Sequence, residues 1–187
     1  MKTTLPQVAA FWDNTVRKLP HATAVTYEGQ SLTFAQAEEQ IARVAGYFAT
    51  EAGVTKGDRV CLALPNCLEY FLAYWAVLRL GAVVAPVNTR LRADELQYVL
   101  KNCDAKVVVL HGQTEGAVRA GLQAEGLRPH LLGVEAEPAT TPFAQALTWD
   151  APRETAAVAS EDLAVILHTS GTTGVPKGAM MRHEDLR

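Results

Sequence analysis

The sequence predicts an α/β fold with a mainly parallel sheet flanked by helices. Three observations carry this reading. Short apolar runs alternate with segments whose apolar residues recur at helical spacing, the pattern of a parallel sheet built from strand–helix units. The run Leu163-Ala164-Val165-Ile166-Leu167 has no polar alternation, as expected for a strand covered on both faces. It leads directly into a loop rich in glycine and hydroxyl residues, at the strand end where open α/β sheets place ligands.

The elements follow in order. Thr4, Pro6 and Gln7 form a helix start, with Thr4 as cap and Gln7 closing a capping box; the helix runs to about Lys18 and stops before Pro20. Ala24–Tyr27 and Ser31–Thr33 flank Glu28-Gly29-Gln30 as a hairpin. Thr33 and Gln36 repeat the capping box and open a long helix with Ile41, Val44, Ala45 and Phe48 on one face and Gly53 past its end. Arg59–Leu64 reads as a strand ended by Pro65. Leu68, Phe71, Leu72 and Trp75 fall at helical spacing, and Ala73, Ala76 and Val77 fill the opposite side, so this helix is buried nearly all round. Ala82–Val87 is a strand, Asp94 caps a helix to about Lys101, and Lys106–Leu110 is a strand. Gln113–Ala124 reads as a helix and His130–Val134 as a strand. Residues 135–160, broken by Pro138, Pro142 and Pro152, form a surface connector with a short helix at Pro142–Leu147.

Composition narrows the classes. The chain has 187 residues, 49% apolar and 20% charged, with a formal net charge of −3. It is long enough for one sizeable core, and nothing in its charge argues for a nucleic-acid partner. Cys61, Cys67 and Cys103 show no CxxC spacing and read as thiols of a reducing compartment. The five histidines show no ligand-like spacing. No apolar stretch follows Lys2 to make a secretory signal, and the most apolar segment, Tyr70–Leu78, is too short to span a bilayer. A cytoplasmic location is expected. Glu161 and Asp162 read as solvated residues at a strand start rather than an acid/base pair.

The loop Thr169-Ser170-Gly171-Thr172-Thr173-Gly174-Val175-Pro176-Lys177-Gly178 carries the chemistry. Gly171, Gly174 and Gly178 let the backbone approach a ligand closely, and successive N–H groups in such turns form anion sites. Thr169, Ser170, Thr172 and Thr173 add hydroxyl donors, and Lys177 adds a positive charge. A phosphate chain fits this set best. It is not a Walker A loop, because Lys177 is not followed by Ser or Thr, and not a nucleophile elbow, because Gly is missing at position 168. A His168–Ser170 pair lacks a third member. A bland flexible turn explains the glycines but not four hydroxyls and a lysine.

The run Ser170, Gly171, Thr172, Thr173, Gly174, Pro176, Lys177, Gly178 resembles the phosphate-binding signature of the adenylate-forming enzymes. These are the acyl- and aryl-CoA synthetases, luciferases and peptide-synthetase adenylation domains. His168 departs from the family's usual Tyr or Phe. The stretches Lys56–Val60, Leu64-Pro65-Asn66 and Leu80–Asn88 look like the family's N-terminal landmarks in order, and Asn88–Leu91 with Glu95-Leu96 looks like the acyl-CoA synthetase branch.

The resemblance implies an ATP-dependent acid–CoA ligase of fatty or aryl acid metabolism. Its carboxylic acid substrate attacks ATP to give an acyl-adenylate, and the acyl group then passes to coenzyme A. It assigns Thr169, Ser170, Gly171, Thr172, Thr173, Gly174 and Lys177 to the phosphates, Lys177 to catalysis and Thr169 to Mg²⁺. His183 resembles the family's histidine at the start of the next helix. It further implies that residues 1–187 are the front part of an N-terminal domain, without the C-terminal part, and are inactive alone. An exposed sheet edge near the loop strand would favour self-association. The rival readings are a non-catalytic phosphate or nucleotide binder, an interaction domain with a relic loop, and an unrelated NTPase.

Overall fold

The computed structural model describes residues 8–91, 93–150, 154–169 and 176–186. Six helices and nine strands are present among them. The predicted start at Thr4, Pro6 and Gln7 lies outside the described residues, as does Pro152.

Helix α1 (Val8–Lys18) precedes a hairpin of β1 (Thr23–Tyr27) and β2 (Gln30–Thr33). Glu28 and Gly29 turn it with φ of 47° and 81°, the doubly left-handed backbone whose twist suits a two-residue hairpin. Thr33 then caps α2 (Phe34–Thr50) as its sequence predicts: its hydroxyl accepts from the Gln36 N–H, and the Gln36 side chain accepts from the Thr33 N–H.

The main sheet holds β3 (Arg59–Ala63), β4 (Val83–Pro86), β5 (Val107–His111), β6 (His130–Val134), β7 (Thr141–Pro142), β8 (Leu163–Thr169) and β9 (Lys177–Arg182). The spatial order is β7-β6-β5-β3-β4-β8-β9. All neighbours are parallel except β8 and β9. The chain therefore steps from β3 to β4 on one side, returns to β5 on the other, and reaches β8 beside β4.

Both faces of the central strands are covered. Val60, Leu62, Val107 and Val109 point into a core with residues of α2 and of α3 (Leu68–Arg79), such as Ile41, Phe48, Leu72 and Val77. Cys61, Ala63, Val108 and Leu110 point the other way, against Leu96, Val99 and Leu100 of α4 (Ala93–Cys103) and Val118 and Leu122 of α5 (Gly112–Ala124). The strand period of two sends neighbours to opposite faces, so burial on both faces requires continuous apolar runs. No residue of α3 is exposed, in line with its apolar pattern. Asp94 differs from its expected role: it sits inside the first turn of α4 rather than at the cap, where its charge suits the helix dipole.

Three helices share one ionic junction. Arg79 donates to both oxygens of Glu38 at 3.0 and 2.7 Å, and the Trp12 indole N–H donates to Glu38 Oε2 at 2.8 Å. Trp12 also packs on Phe34, Phe71 and Trp75. The 135–160 connector contains the short helix α6 (Phe143–Leu147), one residue later than predicted, because Pro142 completes β7 and precedes the helix.

Removing the α2 cap tests this local reading. Thr33→Ala is expected to cost about 1 kcal/mol, measured as a lower urea midpoint with an unchanged denaturant slope.

Candidate functional site

The site is built at the root of the loop between β8 and β9. Strand β8 runs parallel to β4, so the loop leaves at the carboxyl end of the sheet as expected. The structure then departs from the sequence reading. Lys177 and Gly178 are not loop residues but the start of β9, which returns antiparallel along β8. The register pairs Thr169 with Lys177 and His168 with Gly178. Partners across such a ladder have Cα atoms about 5 Å apart. Two residues eight positions apart in sequence are thereby held facing one another at the two ends of the loop. Both side chains are exposed. Ser170, Gly171, Thr172, Thr173 and Gly174 lie outside the described residues.

Coverage on both faces of β8 also does not hold along its whole length. Ala164 and Val165 are buried, but Leu167 is 42% exposed and Thr169 is exposed. Only β9 lies beyond β8 in the sheet, and it is itself the edge. Met180 on β9 is 72% exposed. The apolar run Leu163–Leu167 spans both the covered and the uncovered part of the strand, so Leu167 carried no signal of its exposure.

His168 anchors the loop root. Its Nε2 lies 3.2 Å from the Asn102 side-chain nitrogen at the end of α4, a contact between residues 66 apart in sequence. Its Nδ1 is buried without a hydrogen-bond partner among the described residues. Burial holds its pKa below the usual histidine value. Gly178 leaves room for this ring: a Cβ there would come within 3.2 Å of His168 Nε2 and 3.1 Å of Ile166 Cγ2. The Gly178 requirement is thus packing against His168. Neither Asn102 nor the His168–Gly178 pairing carries a local sequence signal.

The segment entering β8 is fixed separately. Asp162 pairs with Lys56 at 2.6 Å and accepts the Ala159 N–H at 2.7 Å. The hydrogen bond from Lys56, then that from Ala159, hold its carboxyl below the ordinary range. Asp162 is thus a structural anchor rather than the simply solvated residue its position suggests, because Lys56 and the Ala159 N–H reach it from neighbouring segments. His183 begins a 3₁₀ turn (His183–Leu186), the position where a helix start was expected, and is fully buried.

A mainly parallel sheet flanked by helices, with the β8–β9 connection leaving from its carboxyl end, defines an open-sheet α/β protein. The chain belongs to the AMP-binding enzyme family, whose model matches residues 12–187. It is 35% identical over 173 residues to a feruloyl-CoA synthase of Amycolatopsis sp, covering 91% of this chain and 32% of that protein. It is 34% identical over 159 residues to the long-chain-fatty-acid–CoA ligase FadD13 of Mycobacterium tuberculosis, covering 83% of this chain and 30% of that one. The fold is similar to a benzoate CoA ligase from Burkholderia xenovorans LB400, with a TM-score of 0.85 and 25% identity over 97% of this chain and 35% of that chain. The chain spans about a third of the length of the curated relatives it matches. No described helix is long and apolar enough to cross a membrane.

The partly buried His168, whose pKa burial lowers, sets a pH dependence. The unfolded chain takes up a proton near pH 6.5, while the folded site resists it. Stability is therefore complete above that pH and falls as pH drops through it. Amide exchange of residues 163–169 and 177–182 is expected to speed up relative to β3 between pH 7.5 and 5.5. His168→Phe should reduce that change without abolishing it, because burial also lowers the His130 pKa.

Proposed function

We propose that the chain supplies the phosphate-gripping part of an ATP-dependent acid–CoA ligase. Such an enzyme activates a fatty or aryl carboxylic acid as an acyl-adenylate and transfers it to coenzyme A. The observation that carries this reading is the Thr169–Lys177 pairing across the loop ends, in a chain matched to the family over residues 12–187. A carboxylate attacking the α-phosphate expels pyrophosphate, whose charge must be held. The Lys177 ammonium and Thr169 hydroxyl stand at the two ends of the loop, positioned to accept that charge together with Ser170, Gly171, Thr172, Thr173 and Gly174. The pairing of Thr169 with Lys177 fixes the backbone at both ends of the loop, which reduces the reorganisation needed when the charge develops.

Mg²⁺ is the nucleotide's partner in this chemistry. Among the described residues no group of three or more His, Cys, Asp or Glu is placed to hold an ion. Thr169 offers one neutral hydroxyl, a donor set that fits Mg²⁺ carried mainly on the phosphates, where it would help to neutralise the departing pyrophosphate. Coverage of about a third of the relatives supports reading residues 1–187 as the front of a larger catalytic domain, inactive alone. Three free thiols fit a reducing, cytoplasmic setting.

Titration of MgATP is expected to show about tenfold weaker binding for Lys177→Ala, as befits the loss of charged hydrogen bonds. Unchanged affinity, together with unchanged acid-dependent AMP formation in a full-length protein, would remove Lys177 from the site.

The unpaired side of β9, with Met180 and Leu167 exposed beside it, favours pairing with a second copy. Light scattering is expected to show concentration-dependent dimers. A monomer at every concentration would exclude this.

A further inference from the structure

The chain reverses direction between β3 and β5, and in open α/β sheets the crevice beyond the carboxyl ends of such strands is where ligands bind. A cavity of about 550 Å³ lies there. Asn66 and Cys67 follow β3, His111 ends β5, Gln113 begins α5 with Gly112, and Glu135 follows β6; the tip of the β1–β2 hairpin and the start of α6 form further walls. It shares Tyr27, Asn66 and Cys67 with a smaller cavity of about 270 Å³, walled by Tyr70, Phe71, Tyr74 and Trp75. The two form one cleft, aromatic at one end and polar at the other. None of its lining residues belongs to the Thr169–Lys177 site.

The charges select the ligand. Glu28, Glu69 and Glu135 line the polar end, and among the described residues no Lys or Arg lines either part. The helix N-termini of α3 and α5 open here but do not offer an anion site. Cys67 Sγ accepts the Tyr70 N–H, His111 Nδ1 accepts the Gln113 N–H, and the first turns already carry Glu69 and Glu115. The imidazole that lines this end, His111, is engaged by Glu135 at 3.2 Å.

Glu135 is presented from a fixed backbone. Its φ is 50°, its carbonyl packs so closely on Gly112 that any Cβ there would collide, and Gly133 is equally crowded by Ala136. The buried Glu115 carboxylate accepts the Glu137 N–H at 2.8 Å and bonds Thr140, holding the segment from the other side. The Glu135 side chain itself is 80% exposed. A carboxylate carried on a fixed backbone at the mouth of an aromatic cleft suits an ammonium group.

We propose that this cleft binds an amphipathic organic amine. Its apolar part lies on the Tyr70–Tyr74–Trp75 wall and its ammonium group among Glu28, Glu69 and Glu135. The test is a titration of the 187-residue chain with phenethylamine, followed by amide chemical shifts. 3-Phenylpropionate, with a similar ring and the opposite charge, is the control. Saturable shifts are expected at residues 66–75 and 133–135 with the amine and not with the acid. Glu135→Gln is expected to weaken binding about fivefold, the scale of a partly exposed charge pair. Tyr74→Leu should weaken it independently; if that variant fails to fold, the exposed Glu135→Gln decides alone. Equal binding of amine and acid, shifts confined to other regions, no saturable shift, or undiminished binding by Glu135→Gln would each overturn the proposal.

Discussion

Burial of the central strands on both faces is the constraint on which the rest depends. Val60 and Leu62 of β3 face the core formed by α2 and α3, while Cys61 and Ala63 face α4 and α5. Such strands cannot be neighbours through a short turn. Each parallel step needs a crossover, so helices must alternate with strands and cover the sheet. The order β5-β3-β4 then creates a reversal at the carboxyl end, and every loop that matters for ligands emerges on that side.

Symmetry of cover is lost towards β8 and β9. The first half of β8 is buried beside β4, and the second half projects with Leu167 and Thr169 exposed. Antiparallel pairing with β9 compensates by supplying the backbone hydrogen bonds that β8 lacks on its outer side. The same ladder fixes the two ends of the glycine-rich loop. Fixing of the loop ends and pairing of β8 are thus served by one set of backbone bonds. His168 and Asn102 add a tie from this ladder to α4, so the loop root is held by a helix as well as by the sheet.

Charged groups inside the molecule act as fasteners between elements distant in sequence. Glu38 joins Arg79 and Trp12, and Glu115 joins Thr140, Arg119 and the Glu137 N–H. In each case a partly or fully buried carboxylate has partners supplied by other elements, with Arg119 adding a bond within α5 at Glu115, and these bonds offset the cost of removing it from water. At Glu115, burial raises the carboxyl pKa while the hydrogen bonds from Glu137, Thr140 and Arg119 lower it, and the hydrogen bonds prevail.

Local chemistry made the elements and the loop legible in the sequence. The Thr33–Gln36 capping box, the Glu28-Gly29 turn, the unbroken apolar strands and the glycine-rich run each act within a few positions of the chain, and the family that the run resembles is the one matched over residues 12–187. Strand order, the β9 partner, the partial cover of β8 and the His168–Asn102 contact were decided only in three dimensions. Their sequence signals are weak because pairing partners are chosen by packing between distant segments. An apolar residue such as Leu167 reads the same whether a neighbour covers it or not. The same reason hid the cleft between the hairpin and the ends of β3, β5 and β6, whose walls come from segments more than a hundred residues apart.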